Sequence, residues 1–66
     1  MMAQNPIEVI RMALEREKEA VQEYNEFAQT AEDKSIREMF LFLVEEEKKH
    51  VKLLQEEIEK EIYQEM

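Results

Sequence analysis

Apolar residues recur at alternating spacings of three and four along nearly the whole chain. In the first half the stripe runs Ile7, Ile10, Leu14, Glu17, Val21, Tyr24, Ala28 and Ala31, and in the second Ile36, Phe40, Leu43, Glu47, His50 and Leu54. That spacing keeps one face of an α-helix turned toward a partner, so the pattern predicts two amphipathic helices. Asn5-Pro6-Ile7-Glu8 supplies an N-cap, a first-turn proline and an early acid for the first. Ser35-Ile36-Arg37-Glu38 has the form of a capping box and predicts the start of the second. The expected spans are about 6–31 and 36–65, joined by Glu32-Asp33-Lys34-Ser35. A connection that short folds the helices back on each other, giving an all-α antiparallel two-helix hairpin as a single unit over 1–66. With no glycine in the chain, the sequence does not say how the first helix ends.

Three polar residues interrupt the stripes. Glu17, Glu47 and His50 stand where leucines would make ordinary seams, and helices do not place ionisable groups on buried faces without compensation. Their levels coincide. Glu17 lies ~21 Å along its helix from Ala31, while Glu47 and His50 lie ~18 and ~22 Å along theirs from Ser35. Glu47-Lys48-Lys49-His50 also has Glu-x-x-His spacing, which puts both side chains on one helix face. Carboxylate oxygens with an imidazole nitrogen suit iron, with manganese and zinc as alternatives, better than calcium or magnesium. The bland alternative is a polar layer that pairs with itself and fixes helix register. Glu46 is a rival ligand, but it points ~100° away from Glu47. Met39 and Phe42 read as packing residues rather than chemistry.

Length turns three ligands into six. Sixty-six residues in two helices bury too little to stand alone, and a two-fold dimer completes a four-helix bundle. Such a homodimer pools two copies each of Glu17, Glu47 and His50, whose four carboxylates balance two divalent ions. Composition narrows partners further. Seventeen acidic against nine basic residues give a net charge of −8, which argues against nucleic acid and anionic membrane. The longest apolar run, Met39 to Val44, is far below the ~20 residues that span a bilayer. That run covers every face of a helix, and Ile58, Ile62 and Tyr63 overrun the first helix, so association beyond the dimer is also expected. Without cysteine there is no disulfide, iron–sulfur cluster or cysteine-ligated iron. No basic segment followed by an apolar one opens the chain, so a cytoplasmic location is expected.

The segments Glu17-Lys18-Glu19-Ala20-Val21-Gln22-Glu23-Tyr24 and Phe40-Leu41-Phe42-Leu43-Val44-Glu45-Glu46-Glu47-Lys48-Lys49-His50 resemble the half-repeat of the rubrerythrin branch of the ferritin-like superfamily. The resemblance spans about residues 7 to 54. It implies Glu17, Glu47 and His50 as iron ligands and Tyr24 as a neighbour of the site. Tyr24, one heptad from Glu17, could orient a ligand carboxylate or serve simply as a core aromatic. Rubrerythrins carry four helices in one chain and a cysteine-ligated iron domain, so the closer likeness is to two-helix, encapsulated-ferritin-like proteins that dimerise to build a ferroxidase site. An encapsulin shell is a conceivable partner, though no recognisable targeting extension follows the second helix. The function implied is oxidation of Fe(II) by dioxygen or peroxide at a di-iron site of two ions per dimer. The alternatives are a non-catalytic helical oligomerisation module and a redox-silent zinc or manganese bundle.

Overall fold

A computed structural model describes residues 5–65, with side chains to Ile62. It holds two helices, α1 (Pro6–Thr30) and α2 (Lys34–Glu65), packed against each other as an antiparallel hairpin. The Asn5 carboxamide accepts from the Ile7 amide at 2.9 Å, so α1 starts where the capping residues place it.

The turn differs from the sequence expectation at both sides. Asp33, not Ser35, caps α2, and its Oδ1 accepts from the Ser35 and Ile36 amides at 2.7 and 3.3 Å. A carboxylate satisfies two free donors at once and complements the positive end of the helix, so it displaces the hydroxyl two residues on. Glu38, freed from a capping box, lies 4.0 Å from Lys34 one turn earlier. α1 ends without glycine because Ala31 turns into extended backbone, φ −69° and ψ 128°. The Thr30 hydroxyl lies 3.1 and 3.3 Å from the Glu26 and Phe27 carbonyls, and the Arg37 guanidinium donates to the Ala31 carbonyl at 3.2 Å. No described residue has positive φ.

The core is small and skewed toward the turn. Leu14, Ala28 and Val44 are the buried apolar residues, and the Phe40 ring stands 6.0 Å from Tyr24 and 5.3 Å from Phe27. Every stripe position of α1 is buried or half-buried. On α2 the inward line is Phe40, Leu43, Val44, Glu47, Val51, Leu54 and Ile58, so Val44 is buried beside Leu43 and Val51 takes the place expected of His50. Ile36 and His50 are exposed. Ile58 is half-buried and Ile62 exposed, while the Tyr63 side chain lies outside the described residues.

The hairpin is a slab of 49 × 26 × 11 Å, one helix thick. It exposes 5556 Å², whereas a compact monomer of this mass would expose about 4,450 Å². Val9, Met12, Phe27, Met39, Phe42 and Leu53 belong to that excess. No helix among the described residues is long and apolar enough to cross a membrane.

Candidate metal centre

Glu47 and His50 share a face of α2 through their three-residue spacing, and the antiparallel packing carries Glu17 of α1 to the same level. One ligand atom from each of the three lies within 4.8 Å of the others. His50 Nδ1 stands 3.6 Å from Glu17 Oε2 and 3.5 Å from Glu47 Oε1, contacts too long for good hydrogen bonds. Donors held by one ion at about 2.0–2.2 Å stand roughly 3–4 Å apart, so the spacing fits a cation between them.

Burial grades across the three. The Glu47 side chain is 19% exposed, that of Glu17 32% and that of His50 52%. Glu17 Oε2 is nevertheless buried and has no hydrogen-bond partner. A buried carboxylate oxygen without a donor is costly, and a metal ion is the partner this donor set calls for. The neighbouring lysines do not supply the charge. Lys48 pairs with Glu45 at 3.5 Å and Lys49 with Glu46 at 3.4 Å. Glu46, the rival ligand, is thereby engaged with a lysine and does not join the cluster.

Tyr24 is half-buried one heptad nearer the turn, and its contact is with the Phe40 ring. Of its two sequence readings, core packing is the one this geometry displays. Two features escaped the sequence reading. Phe27 completes the aromatic cluster, and its position three residues after Tyr24 was the available signal. Arg16 lines a shallow hollow with Val9, Met12, Ala13 and Glu17, on the edge of α1 that borders the inward stripe at Glu17.

The family model described as Rubrerythrin matches residues 1–65. An uncharacterized protein of Archaeoglobus fulgidus is 35% identical over 54 residues, covering 82% of this chain and 84% of that protein. No solved structure matches the chain.

Proposed function

This chain belongs to the rubrerythrin family, and we propose that it is one half of a ferroxidase-type di-iron oxidoreductase completed by a second copy of itself. The observation that carries this reading is the convergence of Glu17, Glu47 and His50 around an unpartnered buried carboxylate oxygen. One chain offers three ligands, too few for two ions. Two chains related by a two-fold at that level offer four carboxylates and two imidazoles, the ligand inventory of a ferritin-like di-iron bundle.

Glu17, Glu47 and His50 of each chain would hold the ions, with Glu47 the most shielded of the three side chains. Iron bound there supplies one-electron chemistry, carrying Fe(II) to Fe(III) while dioxygen or peroxide accepts the electrons. The protein's part is to hold the donors at fixed distance, and metal binding in general takes a neutral imidazole and ionised carboxylates. Loading therefore weakens on acidification.

Anaerobic titration with Fe(II), then admission of air or peroxide, tests the assignment. The expected result is saturation at one ion per chain, followed by growth of the near-ultraviolet absorbance of Fe(III). Tight zinc binding with no spectral change under iron and air would leave a redox-silent bundle. Absence of any metal binding would leave a helical interaction module.

A further inference from the structure

The slab has two broad faces, and they differ in chemistry. On a helix the residues before and after an inward position point about 100° to either side of it. A local two-fold normal to the slab relates antiparallel helices and leaves each broad face in place. The residue before an inward position therefore points to the same face from either helix, and the residue after it points to the other. Before Ile10, Ala28 and Phe40 stand Val9, Phe27 and Met39, which are 44%, 46% and 49% exposed. Before Val51 stands His50, whose Nδ1 lies 3.6 Å from Glu17 Oε2. The hollow that Glu17 lines with Val9 and Arg16 opens at the edge of this face. After Ile10, Glu17, Glu47 and Val51 come Arg11, Lys18, Lys48 and Lys52, all exposed on the other face.

Resting on the shared-site reading, we infer that the second copy docks on the Val9–Phe27–Met39–His50 face, broad side to broad side. A two-fold lying between two such faces at the ligand level turns each Glu17–Glu47–His50 cluster toward the other. Each exposed imidazole then looks into the partner instead of solvent, and two layers of two helices make the four-helix bundle that pools the ligands. Area supports this occupant. The chain exposes about 1,100 Å² more than a compact monomer of its mass would, and a standard protein contact takes about 800 Å² from each partner.

Charge selects the face. Lys18 and Lys48 each follow a ligand in sequence, so they cover the ligand level from the other side. Hairpins stacked on that side would place four ammonium groups between the two clusters, and like charges brought together across a contact are repulsive. On the docking face the charged groups beside the ligands, Arg16 and Glu46, are opposite in sign.

Met39 and Leu41 flank Phe40, one on each broad face, and are matched in exposure at 49% and 46%. Met39→Glu and Leu41→Glu therefore add the same charge to the same turn of α2 on opposite sides. Sedimentation is expected to show Met39→Glu raising the dimer dissociation constant at least about tenfold, with Leu41→Glu leaving it unchanged. Helicity at high concentration should match wild type in both. Thiol labelling supplies a second measurement that needs no loss of affinity, because the chain has no cysteine of its own. Without metal, Met39→Cys should be protected from a maleimide in the dimer and Leu41→Cys should not. In a dimeric wild type, an equal or larger effect of Leu41→Glu, an unaltered constant for Met39→Glu, or equal labelling of the two thiols would overturn the docking face and leave the shared metal site standing. A wild type that stays monomeric at saturating Fe(II) or Zn(II) would overturn both.

Discussion

Near the turn, α1 and α2 interlock through the rings of Tyr24, Phe27 and Phe40, with Ala28 and Val44 buried among the stripe residues. About two turns further on, the same stripes carry Glu17, Glu47 and His50, with Glu17 Oε2 buried and unpartnered and the imidazole half in solvent. The turn half satisfies its own groups with ring contacts, a helix cap and an arginine on the C-cap carbonyl of α1. The ligand half does not. One hairpin can therefore hold its shape at one end while remaining chemically incomplete at the other, where exposed apolar side chains flank the unsatisfied donors.

The sharpest way to break this contrast is to make the ligand half resemble the turn half. Glu17→Leu with His50→Leu should abolish metal binding and raise the melting temperature without metal, since apolar residues often outperform buried ionisable groups. Wild type should gain about 2.7 kcal/mol at a hundredfold excess of Fe(II) or Zn(II) over the dissociation constant, and the double variant nothing. Equal thermal shifts in the two proteins would end the assignment of these residues. Next comes an attack on the turn half. Phe40→Ala removes the ring shared by Tyr24 and Phe27 and should cost about 2 kcal/mol, less than a fully buried phenylalanine because Phe40 is only half-buried. Denaturant melts would show it, and metal stoichiometry should survive in whatever fraction is folded.

Smaller effects resolve the turn itself. Asp33→Ala should lose about 1 kcal/mol, while Ser35→Ala should fall within a few tenths, because only the former caps α2. The opposite ranking would restore the capping box. Lys34→Ala, which removes an exposed 4.0 Å pair with Glu38, should change stability by less than about 0.5 kcal/mol.

The hairpin and the meeting of Glu17, Glu47 and His50 were legible in the sequence because both depend on spacing and level, which a regular helix converts directly into distance. The start of α2 was misplaced because Asp33 and Ser35 are both good caps, and a carboxylate reaching two amides wins only once the backbone path is known. The stripe of α2 is the more instructive miss. A heptad reading centred on Glu47 and His50 put Ile36 and His50 inside, yet in one chain Val44 and Val51 face α1 and those two are exposed. Sequence periodicity averages over every surface a helix will bury, including one offered to a second chain. A single hairpin displays only part of it.

The connection from Thr30 to Lys34 contains only ordinary backbone conformations, with no residue forced into positive φ. Its consequence is kinetic. Closing even a 10-residue loop takes only on the order of 10–100 ns, and helix formation about 0.1–1 μs. Hairpin formation should therefore be fast and independent of protein concentration, and meeting a second chain should be slower and second-order. If two hairpins pair as proposed, a refolding trace monitored by helicity should separate into these two phases, with metal accelerating only the second.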